Sequence, residues 1–265
     1  MRADTGKWDG AAADYQKVFA LGINEYNVRQ LRFWQERGMI ASGCRVLDIG
    51  CGVGKYGVYL AQLGCDVTLI DISAKMIECA RRNMAAAETP WRALCCDFDE
   101  VTGAEDVFAS GFDFAISTMS PAVHDAATVR KMSRMTHGWC FITRFYDWRQ
   151  PFRDELMAAV GLIPRPAFER DLKTDCAELI SAVRAVGYAP TVDYVDYCWA
   201  DRRTVGEMAD YMRRNYFPHD PHADALHERM CAHLRQICYN DGTVSDSVST
   251  KVARIYWKTE ELAWK

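Results

Sequence analysis

The sequence predicts an α/β fold, in which helices cover both faces of a doubly wound, mostly parallel sheet. Three observations predict this fold. Short apolar runs that suit buried strands alternate with helical stretches from residue 45 to residue 145. A glycine-rich segment, VLDIGCGVGKYG, begins inside the first of these runs. The chain has 265 residues and is 49% hydrophobic, which suits one large domain better than two independent ones.

The first 145 residues supply most of the predicted elements. Between residues 11 and 37, apolar side chains recur at helical spacing, with an interruption at Gly22. Five apolar runs then predict strands, over residues 45–49, 66–70, 91–95, 112–117 and 139–143. The intervening helices are predicted through residues 59–61, over 74–84 and over 126–135. Strands separated by helices in this way are predicted to run parallel.

Beyond residue 145 the alternation is looser. A helix over residues 175–186 is predicted to end at Gly187, which suits a helix C-terminus. Strands over residues 191–199 and 252–257 bring the predicted sheet to seven strands. Between these two strands, residues 201–239 are predicted to be helical with a break at 217–221. We therefore expect a helical cap over residues 200–245, inserted between the last two strands of a single domain spanning 1–265.

Composition narrows the class of partner. The net charge of −4 and the pI near 5.9 give no general attraction for polyanions, which argues against DNA as a substrate. The eleven cysteines form no C-x-x-C pair, and we interpret them as reduced thiols. The sequence contains neither a signal peptide nor an apolar run of membrane-spanning length. We expect a soluble, cytoplasmic protein that does not contact membranes.

The glycine-rich segment contains two overlapping patterns. Gly50, Gly52 and Gly54 form G-x-G-x-G, whereas Gly52, Gly54 and Gly57 form the G-x-G-x-x-G of a dinucleotide site. Asp48, at the end of the first strand, separates these interpretations. Its carboxylate would repel a pyrophosphate but would attract a ligand with an ammonium group and a cationic sulfur. The charge therefore favours S-adenosylmethionine over a dinucleotide.

Two further aspartates follow the next two strands. Asp71 ends the second strand, where a carboxylate accepts hydrogen bonds from the ribose hydroxyls of a nucleoside. Asp97 follows the third strand and is a candidate acceptor for the adenine amino group. Phe98 or Met76 would then cover the adenine ring, although an apolar side chain on a helix is more often part of the core.

These motifs resemble the class I S-adenosylmethionine-dependent methyltransferases. Residues 48–54 match the first motif of that family, Asp71-Ile72-Ser73 with Met76 match the second, and Asp97 occupies the third position. The resemblance covers about residues 40–145. It implies S-adenosylmethionine as the cofactor and a seven-stranded, Rossmann-like sheet whose last strand is antiparallel.

The N-terminal sequence WDGAAADY resembles the opening of many small-molecule methyltransferases, in which this helix lies over the cofactor. We therefore expect residues 1–37 to form a helical lid, although an ordinary amphipathic helix explains the pattern equally well. The candidate cofactor-binding residues are Asp48, Gly50, Cys51, Gly52, Gly54, Asp71, Ile72, Met76, Asp97, Phe98, Ser117 and Tyr15.

The loop after the fourth strand faces the methyl acceptor in this family. Methyltransferases of nucleic-acid bases carry [DNS]-P-P-aromatic there, and this chain instead has Ser120-Pro121-Ala122-Val123. Base methylation is therefore not favoured. His124 is a candidate general base, and Arg144 is a candidate ligand for an acidic group of the acceptor. The alternatives are a solvent-exposed histidine at a helix start and a surface ion pair.

A second group of residues is a candidate metal site. The spacing of His227 and Cys231, four residues apart, places both on one helical face, where imidazole and thiolate suit zinc. A half-buried helix face explains the same spacing, and we assign no metal. The group comprises His219, His222, His227, Cys231, His233 and Cys238.

The sequence therefore predicts methyl transfer from S-adenosylmethionine to a small molecule by in-line displacement. The alternatives are a protein or RNA methyltransferase, a NAD-dependent oxidoreductase, and a non-enzymatic protein that senses a metal or cofactor. The attacking atom stays open among oxygen, nitrogen, sulfur and carbon, because this scaffold serves all four. The oligomeric state, including a homodimer, stays open as well.

Overall fold

The computed structural model describes residues 5–102, 108, 110–163, 167–168, 170–217 and 222–260. The described strands are β1 Arg45–Ile49, β2 Asp66–Asp71, β3 Trp91–Cys95, β4 Phe112–Thr118, β5 Thr136–Phe145, β6 Thr191–Thr204 and β7 Thr243–Lys258. The described helices are α1 Thr5–Ala20, α2 Glu25–Glu36, α3 Lys55–Gln62, α4 Ala74–Met84, α5 Ala126–Arg134, α6 Pro151–Ala159, α7 Leu172–Val186, α8 Val205–Tyr216 and α9 Ala223–Ile237. Among the described helices, none has the combination of length and apolar character needed to cross a bilayer.

The strands form one seven-stranded sheet in the order β3-β2-β1-β4-β5-β7-β6. The pairs β3-β2, β2-β1, β1-β4 and β4-β5 are all parallel. β7 runs against β5, because Thr259 N donates to Gly138 O (2.9 Å) whereas Tyr146 N donates to Lys251 O (2.7 Å). The predicted α/β fold with a mostly parallel, seven-stranded sheet is confirmed, and α8 and α9 lie between the last two strands.

The chain divides into two compact units. The first comprises Met1–Arg144, Asp175–Tyr194 and Ala253–Lys265, and the second comprises Phe145–Thr174 and Val195–Val252. In the first unit, alternate residues of the central strands join two different apolar clusters, one for each face of the sheet. The second unit has an apolar cluster of its own, which α6, α8 and α9 contribute to.

The central strand β1 shows how the first unit places its polar residues. Val46 belongs to one apolar cluster, and Leu47 and Ile49 belong to the other. Asp48 therefore lies on the same face as Val46, one residue from the end of a strand that is paired on both sides. Side chains of a strand point alternately to its two faces. Because both faces of this parallel strand are buried, the Asp48 carboxylate lies in the interior.

The interruption predicted at Gly22 is confirmed, because this glycine lies between α1 and α2 with φ +79°. Three other elements differ from the sequence prediction. β6 continues to Thr204, so the prediction of helix for residues 201–204 is wrong. β7 begins at Thr243, inside the predicted cap, and α6 was not predicted. The predicted break at 217–221 falls mostly outside the described residues.

The error at residues 201–204 has a local cause. Asp201, Arg202 and Arg203 are charged, and a run of charges suits an exposed helix as well as an edge strand. In the structure these residues alternate between exposed and half-buried, as one face of a strand does. The helix begins only after Thr204, whose hydroxyl accepts from Glu207 N while the Glu207 carboxylate accepts from Thr204 N.

Candidate active site

The glycine loop turns sharply at the end of β1. Gly50 N and Cys51 N both donate to Ile70 O, at 2.8 and 3.0 Å, so the loop is held against the end of β2. Gly50, Gly52 and Gly54 all have positive φ, at +73°, +56° and +77°, a region that glycine adopts without strain. The Cys51 thiol donates to Gly52 O (3.4 Å), and burial raises its pKa well above the ordinary value.

The loop is crowded at Gly50 and open at Gly52. A Cβ at Gly50 would lie 1.8 Å from Ser120 Oγ, so the loop after β4 packs directly on this glycine. A Cβ at Gly52 would meet nothing closer than Met76 Sδ and Tyr15 Cδ1, both at 4.0 Å. The main chain at Gly52 is therefore accessible to a ligand. Sequence reasoning missed the Ser120 contact, because seventy positions separate the two residues and no local pattern marks it.

Asp48 is a buried carboxyl group, and none of its described hydrogen bonds comes from a positively charged group. It is 1% exposed, and its Oδ1 has no hydrogen-bond partner among the described residues. Burial raises the pKa of Asp48 to about 8, and the negative charge of Asp71 adds to the rise. A cation bound beside Asp48 would reverse this rise, because it favours the ionised carboxylate.

Asp71 joins the glycine loop to the start of α4. Its Oδ2 accepts from Gly52 N and its Oδ1 from Ser73 N, both at 2.9 Å. Burial raises the pKa of Asp71, while backbone donors from Ser73, Gly52 and the half-buried Ile72 act against the rise. The carboxylate is thus fixed in orientation at the edge of the open part of the loop.

The N-terminal helix α1 packs over this region within the first unit. Asp9 Oδ1 accepts from Ser73 Oγ at 2.5 Å and from Lys75 N at 3.2 Å. Gln16 and Asn83 exchange two side-chain amide hydrogen bonds of 2.9 Å each, and Asn83 Nδ2 also donates to Val53 O at 2.8 Å. These contacts bring α1 onto α4 and the glycine loop and leave Tyr15 47% exposed.

The third predicted position contains one half-buried and one buried side chain. Asp97 Oδ1 accepts from Asp99 N at 2.9 Å and closes a local turn. Phe98 is 3% exposed and belongs to the same apolar cluster as Ile70, with the Lys131 ammonium 5.1 Å from its ring centre. Met76 is also buried, but it lies near Gly52. Adenine cover by either side chain stays a prediction.

The loop after β4 is strained and closely held. Ser117 is fully buried at the end of β4, and its Oγ has no hydrogen-bond partner among the residues described. Met119 has φ +52°, an uncommon value for a residue with a side chain. Its N–H donates to Thr143 O at 3.2 Å and to Thr143 Oγ1 at 3.1 Å, which ties the loop to β5.

His124 lies at the entrance to α5. Its backbone N–H donates to Thr128 Oγ1 at 3.0 Å, and its ring Nε2 lies 3.9 Å from Asp125 Oδ2. Asp125 is the N-cap of α5, and the His124 side chain is 45% exposed. The structure therefore places this histidine in contact with solvent at a helix start.

Arg144 supports the loop after β4 from β5. Its Nη2 donates to Val123 O at 2.5 Å and its Nη1 donates to Thr143 O at 2.8 Å. Burial lowers the pKa of Arg144 to about 10, and Asp175 and Cys176 act against the fall, so the side chain is a cation at neutral pH. The sequence suggested this guanidinium as a ligand for the methyl acceptor, and in the structure it donates hydrogen bonds to two backbone carbonyls.

The candidate metal group in the second unit forms a different set of contacts. His227 Nε2 pairs with Asp210 Oδ1 at 3.3 Å, and Cys231 Sγ lies 3.8 Å from both ring nitrogens of His227. Within the described part of the chain, no three or more histidine, cysteine or acidic side chains come together in a way that suits a metal ion. His219 lies outside the described residues.

The first unit contains the part of the chain that resembles known proteins most. Residues 46–137 match the family model for a methyltransferase domain. The ubiquinone biosynthesis O-methyltransferase of Bordetella bronchiseptica is 27% identical over 197 residues, which cover 70% of this chain and 76% of that protein. The magnesium-protoporphyrin O-methyltransferase of Rhodobacter capsulatus is 50% identical over 40 residues, 15% of this chain and 18% of that one.

A solved structure with bound S-adenosyl-L-homocysteine, a methyltransferase from Geobacter sulfurreducens, aligns at a TM-score of 0.46 with 18% identity over 88% of this chain and 91% of that one. The family-model match starts at the second residue of β1 and includes the glycine loop, Asp71 and β4. Together with the relatives that carry the same activity in their names, it identifies the cofactor as S-adenosylmethionine and removes the dinucleotide alternative. The chain therefore contains the methyltransferase domain of a class I S-adenosylmethionine-dependent methyltransferase.

Proposed function

We propose that this enzyme transfers the methyl group of S-adenosylmethionine to a small-molecule acceptor by in-line displacement. The observation that carries the proposal is the buried carboxyl of Asp48, whose Oδ1 lacks a partner among the described residues, beside a loop that is open at Gly52. A bound cation supplies the missing partner and favours the ionised carboxylate, whereas a bound phosphate would oppose its ionisation. These residues therefore fit a cofactor that carries an ammonium and a sulfonium group.

Each residue of the loop region has a proposed role. Asp48 attracts the cationic end of the cofactor, and Asp71 accepts hydrogen bonds from the ribose hydroxyls. The main chain at Gly52 lets the cofactor approach closely, and Tyr15 on α1 covers it. When bound, the cofactor would supply a methyl carbon on a positively charged sulfur, which would keep both electrons of the carbon–sulfur bond when the methyl group passes to the acceptor.

The protein then has to hold the acceptor in line with that carbon and exclude water. We assign this task to the loop after β4, whose strained Met119 backbone is tied to Thr143 and whose Val123 carbonyl is tied to Arg144. For an acceptor that must lose a proton, the proposed base is His124, the imidazole of the loop after β4. Arg144 acts on this loop as a positioning residue.

Three observations favour a small molecule over a macromolecule. The net charge of −4 gives no steering toward RNA, and Ser120-Pro121-Ala122-Val123 departs from the base-methylating tetrad. The two relatives described above act, by their names, in ubiquinone biosynthesis and on magnesium protoporphyrin, and both are O-methyltransferases. We therefore propose an oxygen atom of a small molecule as the acceptor.

Calorimetric titration of S-adenosylhomocysteine tests the cofactor site. We expect Asp71→Ala to weaken binding roughly 100-fold, since about two hydrogen bonds to a charged group are lost. Asp66→Ala is the matched control, because Asp66 stands at the opposite end of the same strand. Equal affinities for wild type and Asp71→Ala, with both proteins folded by circular dichroism, would refute the proposal.

A second experiment tests the acceptor class. The enzyme is incubated with methyl-labelled cofactor and with either the low-molecular-weight filtrate or the macromolecular retentate of a cell extract. We expect label in the filtrate products only. Label in protein or RNA of the retentate alone would overturn the small-molecule assignment and leave the methyltransferase assignment intact.

A further inference from the structure

We infer that the second unit contains a binding site for the carboxylate of a small aromatic molecule, with Arg153 as its anchor. The inference goes beyond the proposed function, since it adds a ligand of stated chemistry, an aromatic carboxylate, bound within the second unit. It depends on a cavity, a buried guanidinium with an unused donor, and a group of aromatic rings, all inside the second unit.

The cavity has a volume of about 410 Å³, which lies in the range of small-molecule sites. It begins directly after β5, since Tyr146, Asp147 and Trp148 follow the last residue of that strand. In open α/β sheets, ligands bind beyond the carboxyl ends of the strands. The lining residues are Tyr146, Asp147, Trp148, Arg153, Ala167, Phe168, Arg170, Asp171, Leu172 and Lys173.

Arg153 is the polar anchor of the cavity. Its side chain is 6% exposed, and its Nε and Nη2 donate to Asp154 Oδ1 at 2.9 and 2.5 Å. Its Nη1 has no hydrogen-bond partner among the described residues, although it is buried. A buried guanidinium donor that is left unpaired is costly, and a carboxylate oxygen is the acceptor that suits it best.

The charges of the lining favour an anion. Arg153, Arg170 and Lys173 are cations, and the two carboxylates of the lining are already engaged. Asp147 Oδ1 accepts from Lys251 N at 2.5 Å, and Asp171 Oδ1 accepts from Thr174 N at 2.8 Å. These contacts with Thr174 lower the pKa of Asp171, so it stays ionised, and the lining as a whole carries one excess positive charge.

The apolar part of the lining favours a flat ring. The rings of Trp148 and Phe168 lie 5.2 Å apart at an interplanar angle of 80°, and Phe145 lies 5.0 Å from Trp148 at 79°. Trp148 Nε1 donates to Gln150 Oε1 at 3.3 Å, which fixes the indole. Edge-to-face groups of this kind accept another aromatic ring. The Nζ of Lys173 lies 5.5 Å from the centre of the Tyr146 ring. An aromatic carboxylate would pack its ring against these aromatic side chains and place a carboxylate oxygen at the unused donor of Arg153.

The test uses the full-length enzyme and three probes: benzoate, benzamide and acetate. We expect calorimetry or saturation-transfer NMR to show benzoate binding at least tenfold tighter than benzamide, which lacks the charge, and acetate, which lacks the ring. Arg153→Lys should weaken benzoate binding by about tenfold or more. Lysine keeps the positive charge but lacks the planar set of N–H donors with which a guanidinium binds a carboxylate. Arg203→Lys is the control, since Arg203 pairs with Asp201 in the same unit and does not line the cavity.

A structural role for Arg153 makes a different prediction. Asp246 Oδ1 is also buried without a hydrogen-bond partner among the described residues, and a water between it and Arg153 would satisfy both. In that case Arg153→Lys lowers the melting temperature while benzoate binds no better than benzamide, which overturns the inference. If Arg153→Lys fails to fold, Lys173→Gln and Trp148→Leu must each weaken benzoate binding, and unchanged binding in both overturns it as well.

S-adenosylhomocysteine is titrated into the same samples to separate the two proposals. Wild-type enzyme that binds S-adenosylhomocysteine but not benzoate refutes the aromatic carboxylate and leaves the proposed function standing. Wild-type enzyme that does not bind S-adenosylhomocysteine refutes the proposed function itself.

Discussion

Replacing Asp48 by asparagine tests whether this carboxyl opposes folding while it serves cofactor binding. The ordinary pKa of an aspartate is 3.8, and the pKa of Asp48 in the folded protein is about 8. The folded state therefore holds a proton that the unfolded chain releases between these values, so the contribution of Asp48 to stability is most favourable below pH 3.8 and is lost as pH rises toward 8. At pH 7, three pH units at about 1.4 kcal/mol each amount to about 4 kcal/mol.

Asparagine keeps the size of the side chain and removes this penalty. We expect Asp48→Asn to be more stable than wild type at pH 7, by at least about 1 and at most about 4 kcal/mol, which raises the melting temperature by roughly 2 °C or more. The difference should shrink as the pH is lowered toward 4. Scanning calorimetry of the ligand-free proteins at several pH values measures it. A variant that is less stable than wild type at pH 7 would refute the reasoning.

The same substitution should have the opposite effect on binding. At pH 7 about nine-tenths of the Asp48 carboxyls hold a proton, which a cationic ligand displaces. Titration of S-adenosylmethionine in buffers of different ionisation enthalpy should therefore show release of nearly one proton by wild type and none by Asp48→Asn, with weaker binding in the variant. Binding to wild type without proton release would show that Asp48 does not face the cation.

Three further substitutions test the surrounding contacts. Gly50→Ala should cost at least about 2 kcal/mol more stability than Gly242→Ala in chemical denaturation, because both glycines have φ +73° but only Gly50 would place a Cβ against another side chain. Asp9→Asn should weaken S-adenosylhomocysteine binding roughly tenfold and speed tryptic cleavage in α1, since it loosens the contacts with Ser73 and Lys75; unchanged cleavage would contradict a holding role for Asp9. Arg144→Lys should lower kcat about tenfold with cofactor affinity unchanged, because a lysine ammonium does not reproduce both bonds of the guanidinium, to Val123 O in the loop and to Thr143 O.

Much of the fold could be predicted because its central strands are buried on both faces. β1 and β2 are buried along almost their whole length, and the Val, Leu and Ile residues in both make them recognisable in the sequence. The outer strands are different. β6 is exposed on one face along its length, and its charged end at residues 201–204 has the composition of an exposed helix. Its strand conformation depends on pairing with β7, which no local pattern predicts.

The candidate site divides in the same way. The glycine loop and Asp71 belong to a contiguous strand–turn–helix segment, so their proximity follows from the spacing of the sequence, and Asp71 Oδ2 does bond to Gly52 N. The Ser120 contact at Gly50 and the cavity around Arg153 depend on residues from separate elements. The same holds for Arg144, because the sequence gives its charge but not the two carbonyls that it bonds.

We expect the charge state of the Asp48 carboxyl to affect both the stability of the protein and its binding of the cofactor. A carboxyl held at the end of a buried central strand, with Asp71 nearby, is unfavourable in the free protein in either of its forms: ionised, it lacks a counter-charge, and protonated, it has taken up a proton against its ordinary pKa. A ligand with two positive charges relieves this strain more than a ligand with one. S-adenosylmethionine carries the ammonium and the sulfonium, and the product of methyl transfer retains only the ammonium. We therefore expect the same carboxyl both to destabilise the ligand-free enzyme and to favour the substrate form of the cofactor over its product, which would promote turnover.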